Sequence, residues 1–458
     1  MTLRSVLTQW RQTLYRYLAA EISAISRYFD EVVQFAPLEH DTGELLSVID
    51  GKLKYRVKTA AELKPETSSR LILLNANLNH DSDIVATLKN VYSSMNRTSR
   101  LVAVVFNPYW RGLYTVASRL GIRRGPPATT FLTRTDLSNL ATLAGFQVQR
   151  YRHCGYFPAD MGGIGRVINW IAPIIPLVRW LSLCEVIILR PIIREKAKPS
   201  LSVLVPARNE RGNLQPLLER VCALPLPHVE VVLVEGHSKD GTFEEAQRLL
   251  ESREWRVPIQ LLKQRGIGKA DAVRMGFEHA TGDLVIILDA DMTVPPEAIC
   301  QFYEAYCEGH GDFINGTRLL YPMEGAAMRP LNLLGNVGFA KLLGLVLNVR
   351  IGDSLCGSKL LARSDYARCR AWREDFGDFD PFGDFELIFP AAILGFGIID
   401  IPVSYKNRVY GTTQIQRFRD GLRLLNMCLH GVARVACGRV PPTLDRLPDL
   451  QEPVRTGG

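Results

Sequence analysis

Leu284-Val285-Ile286-Ile287-Leu288-Asp289-Ala290-Asp291 decides the fold of the second half of this chain. Five consecutive apolar residues read as a strand buried on both faces, as in a sheet covered by helices. The strand runs straight into two carboxylates separated by one alanine. Alternation along a strand sends Asp289 and Asp291 to the same side, about 6–7 Å apart, with Ala290 opposite. Like charges so placed repel unless a cation lies between them. A divalent ion there can bridge to a diphosphate and balance the charge that develops as it leaves. Taken alone, the triplet is no more than a solvated acidic turn. Its neighbours change that.

Upstream, Leu201 to Val205 is another continuous apolar strand, ending in Pro206-Ala207-Arg208-Asn209-Glu210, with a helix expected from about Gly212. Val229 to Val234 is a third, ending in Glu235-Gly236-His237-Ser238-Lys239-Asp240-Gly241-Thr242. Strands whose carboxyl ends carry polar turns form the usual nucleotide crevice of an open α/β sheet. Asp289-Ala290-Asp291 then stands third in an ordered series of such turns.

Downstream, Phe376 to Glu386 reads F-G-D-F-D-P-F-G-D-F-E, four acids among aromatics, running into the helical Leu387-Ile388-Phe389. A transfer to a hydroxyl needs a base on the face opposite the departing group. At least one of these acids is expected instead to cap the helix. Leu331 to Val349 carries an apolar stripe broken by Asn332, Asn336 and Lys341, as expected of a helix at an interface or on the core. Ile415 to Val435 reads as a basic amphipathic helix, with a polar tail after it.

In this order, over some 210 residues, the second half resembles the family 2 glycosyltransferases of GT-A fold, notably the branch that includes polyprenyl-phosphate mannosyl- and glucosyltransferases. The matches are V-P-A-R-N-E, V-E-G-H-S-K-D-G-T, Gly268-Lys269-Ala270-Asp271-Ala272, D-A-D with Pro295-Pro296-Glu297, Asn315-Gly316-Thr317-Arg318, Asp353-Ser354-Leu355-Cys356-Gly357-Ser358-Lys359, and Arg408-Val409-Tyr410-Gly411-Thr412. The resemblance implies an inverting, metal-dependent transfer of a hexose from a nucleoside diphosphate sugar. It assigns Pro206, Ala207, Asn209, Glu210, Glu235, Lys269 and Asp289 to the sugar nucleotide. Asp289, Asp291 and Thr293 are assigned to Mn2+ or Mg2+. Asp384 is the implied base, with Glu386 as its neighbour, and Arg318, Arg329 and Arg408 bind phosphate. Asp240 is expected to be a structural turn residue. Glu235-Gly236 stands where the family has Asp-Asp, which leaves the nucleotide base open. The implied acceptor is a polyprenyl phosphate, a glycan or another hydroxyl. A phosphate is already ionised and needs no base, so the acid-rich segment favours a hydroxyl.

The first half alternates strand-like and helix-like stretches: Leu71–Leu74, Ile84–Met95, Leu101–Phe106, Asp136–Ala144, Phe146–Tyr151 and Glu185–Leu189. This implies a second α/β sheet. It resembles the C-terminal part of class I S-adenosylmethionine methyltransferases, through L-V-A-V-V-F and the passage Asp136-Leu137 to Leu143-Ala144-Gly145-Phe146-Gln147-Val148. The candidate first strand, Asp30 to Phe35, runs into Ala36-Pro37-Leu38-Glu39-His40 without the glycine turn a nucleotide cofactor needs. No room is evident for a second strand. The expectation is a degenerate, inactive Rossmann-like domain, with active methylation or an unrelated α/β domain as the alternatives. For the chain as a whole the remaining alternative is a non-catalytic scaffold whose transferase domain binds nucleotide without turning over.

The expected division is residues 1–190, a charged Pro-bounded linker 191–200, the transferase 201–412, and a helix and tail 413–458. Apolar residues make up 47% and charged residues 22%, a globular and not a disordered composition. The net charge of +8 is scattered, without the basic stripe and interleaved aromatics of a nucleic-acid protein. Nine single cysteines point to a reduced, cytoplasmic setting without zinc. The N-terminus has no secretory signal pattern. Val167 to Leu189 nearly reaches the length of a membrane span, but Pro173, Pro176 and Arg179 interrupt it. A buried helix followed by a strand is expected there, with an interfacial helix, and so a peripheral membrane contact, as the alternative.

Overall fold

The computed structural model describes residues 3–63, 69–119, 125–175, 177–195, 197–324, 330–376, 380, 383–411 and 417–431. The chain divides into two units, the first built on residues up to Ile192 and the second starting at Ile193. Each has its own sheet.

The first sheet contains β1 (Glu31–Phe35), β2 (Leu53–Val57), β3 (Arg70–Asn75), β4 (Arg100–Phe106), β5 (Phe146–Cys154) and β6 (Cys184–Pro191). Its order is β2-β1-β3-β4-β6-β5. The first four strands are parallel, and β6 returns antiparallel between β4 and β5. The apolar runs of β3 and β4 occupy the middle, where both faces are covered. The expected helix before β5 spans Arg134–Leu143. It is opened by a capping box between Thr133 and Asp136 and closed before Gly145, which takes φ +83°. One expectation fails. A second strand does exist, β2, parallel to β1. It escapes a hydrophobicity reading because Leu-Lys-Tyr-Arg-Val is an edge strand with only Val57 buried.

The segment after β5 also departs from expectation. Its strand, β6, is buried throughout. The helix before it, Ile164–Ile171, is not buried: it turns Ile164, Val167 and Trp170 to solvent. Among the described residues, no helix is long and apolar enough to cross a membrane.

The second sheet contains β7 (Leu201–Ala207), β8 (Val229–Glu235), β9 (Ile259–Lys263), β10 (Leu284–Ile287), β11 (Phe313–Thr317), β12 (Lys359–Ala362) and β13 (Ile398–Pro402). Its order is β13-β11-β12-β10-β7-β8-β9. From β7 the chain moves outward through β8 and β9, then returns to the other side of β7 as β10. That reversal leaves a crevice beyond the carboxyl ends of β7 and β10, where ligands bind in open α/β sheets. β12 runs antiparallel to β10 with Lys359 opposite Ile287, and β11 sets Asn315 opposite Lys359. The start of β12 and the end of β11 therefore come to the same rim.

Helices pack both faces. Leu201, Val203 and Val205 meet Leu214, Leu217 and Val221 of the helix Arg211–Cys222. On the other face Gly276, in the helix Lys269–His279, lies so close to Leu204 that a Cβ there would be 1.9 Å from its Cδ1. Continuous apolar strands are what two covered faces require.

Candidate functional site

The β7 turn is built by its neighbours. Asn209 adopts φ +58°, a conformation asparagine tolerates. Its backbone N–H donates to Ser238 Oγ at 2.9 Å, and its side-chain oxygen accepts from the Lys239 N–H at 2.8 Å. Pro206 and Ala207 end β7, and the Ala207 carbonyl accepts from the Gly236 N–H at 2.8 Å. Glu235 is buried, with Oε1 accepting from the Ser238 N–H at 2.5 Å. Asp240 accepts from the backbone N–H groups of Arg211 and Thr242 at 3.2 and 3.1 Å, so it joins the β7 and β8 turns as a structural residue.

Glu210 begins the helix after β7 and is nearly inaccessible. Asn213 Nδ2 donates to Oε2 at 2.6 Å and Arg408 Nη1 to Oε1 at 3.1 Å. Burial, aided by Asp291 and Asp240, outweighs both donors and pushes the Glu210 carboxyl up to about 7. A carboxyl raised in the folded state stabilises fully below its unfolded value of 4.5, and that stability is lost as pH rises through 7. Glu210→Gln should therefore flatten the pH dependence of unfolding between those values. The change in stability at stake across that range is about 3 kcal/mol. Chemical denaturation at a series of pH values checks this, and an unchanged slope would contradict it.

The Asp289-Ala290-Asp291 triplet is not strand. The ladder of β10 ends at Ile287, one residue short of expectation, and the triplet bends into a turn. The Met292 N–H closes that turn on the Asp289 carbonyl at 3.4 Å, with Met292 at φ +52°. Strand alternation therefore does not set the two carboxylates. Basic side chains do. Lys269 Nζ lies 2.7 Å from Asp289 Oδ1. Arg408 Nη2 donates to Asp291 Oδ2 at 2.5 Å, while Asp291 Oδ1 accepts from the Thr293 N–H and hydroxyl at 3.0 and 2.9 Å. Burial works to lower the Lys269 amine, but Asp289, Asp384 and Asp291 together hold it above its ordinary value. Two carboxylates of one turn and a third from nearly a hundred residues downstream thus act on one lysine. Burial works to raise the Asp289 carboxyl, which Lys269, Lys359 and Arg318 hold below the ordinary range.

In the second cluster Asp384 and Glu386 also have cations. Lys359, buried at the start of β12, donates from Nζ to Asp384 Oδ1 at 2.7 Å and also to the Cys356 carbonyl. Glu386 accepts from Arg274 Nε at 2.9 Å and Nη2 at 2.6 Å, with Arg373 at 3.5 Å. Asp380 is the capping acid: it accepts from the Phe385 and Glu386 N–H groups at 2.6 and 3.0 Å, opening the helix Phe385–Ile393. Arg318 is clamped bidentately by Asp353 at 2.7 and 2.9 Å. Burial acts against its charge, and Asp353 more than offsets that. Arg329, Asp378 and Thr412 lie outside the described residues.

The sequence reading assigned no role to Lys359, Arg274, Asn213, Asp353 or Gly357. The spacing of Asp353, Gly357 and Lys359 was the available signal. Gly357 is the instructive one, because a Cβ there would lie 2.1 Å from Asp289 Oδ2 and 2.7 Å from Lys269 Nζ. Among the described residues no three His, Cys, Asp or Glu side chains form a metal-binding group. Asp289, Asp291 and the Thr293 hydroxyl could nonetheless offer an all-oxygen donor set. Such a set suits a hard divalent ion that draws its other ligands from a bound phosphate and water.

Residues 202–368 match the family described as Glycosyl transferase family 2. Over 119 residues the chain is 39% identical to the dolichol-phosphate mannosyltransferase of Pyrococcus furiosus, covering 26% of this chain and 33% of that protein. Over 232 residues it is 29% identical to the undecaprenyl-phosphate 4-deoxy-4-formamido-L-arabinose transferase of Pseudomonas aeruginosa, covering 50% of this chain and 62% of that one. The chain thus spans between a third and three fifths of these relatives' lengths. Among solved structures, a mannosyltransferase from Pyrobaculum calidifontis in complex with GDP-Man and Mn2+ aligns with a TM-score of 0.35 at 20% identity. That alignment covers 54% of this chain and 75% of the other. Asp289, Asp291, Thr293, Arg318 and Lys359 fall inside the matched span, whereas Asp384, Glu386 and Arg408 fall beyond it. Over residues 202–368 the chain is similar to the family 2 glycosyltransferases.

Proposed function

We propose that the second unit is a GT-A-type, inverting, metal-dependent glycosyltransferase that moves a hexose from a nucleoside diphosphate sugar to a polyprenyl phosphate. The observation carrying the acceptor class is the pairing of both candidate bases with cations, Asp384 with the buried Lys359 and Glu386 with the partly buried Arg274. A carboxylate held by an ammonium or guanidinium is a poor acceptor for a hydroxyl proton. A phosphate monoester arrives already ionised and asks for none. The pairing thereby outweighs the preference for a hydroxyl that the abundance of acids alone gives. The named relatives act on dolichol phosphate and undecaprenyl phosphate, which supports the same choice.

On the donor side, Asn209, Glu210 and Glu235 shape the crevice beyond β7 and β8 for the nucleoside. Asp289, Asp291 and Thr293 would hold Mn2+ or Mg2+, which when bound supplies charge neutralisation to the departing diphosphate. Arg408 bridges Glu210 and Asp291 and is placed to exchange a carboxylate for a donor phosphate. Lys269 can do the same from Asp289. Asp384 and Lys359 orient the acceptor against the opposite side of the sugar. The half-exposed helix Pro330–Leu347, with Leu334 and Leu345 outward and Leu343 and Leu347 buried, suits a lipid-bearing acceptor.

We read the first unit as a degenerate methyltransferase-like domain without catalysis. Its antiparallel β6 supplies the returning strand such a domain needs. β1 leads into Ala36 and Pro37, where cofactor sites carry glycine.

One set of assays tests these readings. With Mn2+ and a panel of GDP-, UDP- and dTDP-sugars, one donor should raise thermal stability, by about 2.7 kcal/mol at a hundredfold excess over Kd. S-adenosylmethionine in the same panel should not. Given that donor, the chain should glycosylate a short polyprenyl phosphate and leave the corresponding polyprenol untouched. Glycosylation of the alcohol in preference to the phosphate would overturn the acceptor assignment.

A further inference from the structure

The helix Ile164–Ile171 is folded inside out. Its two buried residues are Gly165 and Asn169, while Ile164, Val167, Trp170 and Ile171 face solvent. An amphipathic helix on a globular core normally does the reverse. Here the inward face is fixed chemically. A Cβ on Gly165 would lie 1.8 Å from the Ala159 carbonyl oxygen, so only glycine fits against that backbone. Asn169 spends its hydrogen-bonding groups on the loop beneath and on the helix's own Gly165 carbonyl. Its Oδ1 accepts from the N–H groups of Tyr156 and Phe157 at 2.7 and 3.3 Å, and its Nδ2 donates to the Phe157 and Gly165 carbonyls at 2.7 Å each. With Gly165 and Asn169 held inside, the apolar side chains have no direction left but outward.

The patch continues past this helix. Leu177 and Trp180 are 87% and 47% exposed, and Trp180 stacks on Tyr109 with ring centroids 6.0 Å apart. Trp110 Nε1 donates to the Leu181 carbonyl at 3.1 Å and the Tyr114 hydroxyl to the Leu183 carbonyl at 2.5 Å. These bonds fix the helix Arg111–Arg119 beside the segment 177–183, with Leu113 and Val116 also exposed. An exposed apolar surface of this extent on a folded domain marks a contact site.

We propose that this face of the first unit docks on the surface of an anionic lipid bilayer. Charge decides among the possible occupants. The stretches 107–119 and 160–184 contain four arginines, Arg111, Arg119, Arg166 and Arg179, against one carboxylate, Asp160, which pairs with Arg166. Tryptophan and tyrosine at the rim of an aliphatic patch, with arginines around it, is the composition of an interfacial membrane contact. A second copy of the same face would set four arginines against four with only Asp160, already paired with Arg166, to answer them, which disfavours self-association. Spanning is not required, since the contact lies in the plane of the interface. The proposal does not depend on the transferase reading, because vesicle binding and sugar transfer to a detergent-dispersed acceptor are measured separately.

The test uses the full chain, with vesicles of phosphatidylcholine alone and vesicles containing about one third phosphatidylglycerol. Sedimentation should show binding to the anionic vesicles, accompanied by a blue shift of tryptophan fluorescence. The exposed triple variant Val167→Ser, Trp170→Ser, Leu177→Ser should melt as the wild type does and bind at least tenfold more weakly. Arg111→Gln with Arg119→Gln, which leaves the apolar face intact, should lose roughly tenfold on anionic vesicles and little on neutral ones. The proposal is overturned if the wild type does not bind, or if the triple variant binds equally well. It is also overturned if ultracentrifugation shows a wild-type dimer that the triple variant abolishes, since the face then belongs to a second copy.

Discussion

Asp291→Ala is expected to lower sugar transfer by about 10²–10³-fold or more, the range seen when one group that stabilises developing charge is removed. The substitution acts at three points. It deletes one of the two carboxylates in the oxygen donor set at the end of β10. It releases Arg408 Nη2 from that carboxylate while the bond from Nη1 to Glu210 stays. It also removes the acceptor for the Thr293 N–H and hydroxyl. Asp291→Asn separates these effects, because an amide keeps a hydrogen-bond acceptor for Thr293 while losing the charge. If charge is what matters, both variants should fall together while thermal melts stay close to the wild type. Wild-type turnover by Asp291→Ala, in a chain shown to be folded, would end the metal-and-diphosphate reading of this turn.

Gly357→Ala should cost transfer about 100-fold, the scale of an ångström-sized misplacement near reacting groups. The backbone of Gly357 does not use a glycine-only conformation, since φ there lies outside the positive region. Any effect of the methyl is therefore steric. It would sit 2.1 Å from Asp289 Oδ2 and 2.7 Å from Lys269 Nζ, so the Asp289–Lys269 pair must move. Both contacting atoms are side-chain ends, which can shift without breaking the sheet. The expected pattern is a melt near the wild type, weakened binding of the nucleotide sugar with Mn2+, and slow transfer. Unaltered donor affinity and rate would show that the position of Asp289 is not critical.

Much of the second unit is legible without coordinates. Continuous apolar runs ending in polar turns announce parallel strands covered on both faces, and the order of those turns announces where the crevice lies. The signal is strong because two buried faces leave little choice of side chain. Edge elements are less legible. β2, with only Val57 buried, carries no such constraint and passed unnoticed. The helix Ile164–Ile171 misleads in the opposite sense. Its hydrophobicity predicts burial, but the steric demand at Gly165 and the four bonds of Asn169 select the other face.

Partners of charged groups lie furthest from what sequence can state. Arg408 and Glu210 are separated by 198 positions, Arg408 and Asp291 by 117, Arg318 and Asp353 by 35. Nothing local in any of these stretches names its partner. They meet because the strand order reverses at β7 and because β12 runs antiparallel to β10, which carries Lys359 back to the rim. The sequence by itself determined the chemistry on hand: carboxylates, lysine and arginine at strand ends, and two α/β sheets to present them. Only the tertiary structure decided which cation neutralises which acid, because electrostatic pairing follows distance in space. That pairing turned the acids near Asp384 from candidate bases into held groups, and so moved the proposed acceptor from a hydroxyl to a phosphate.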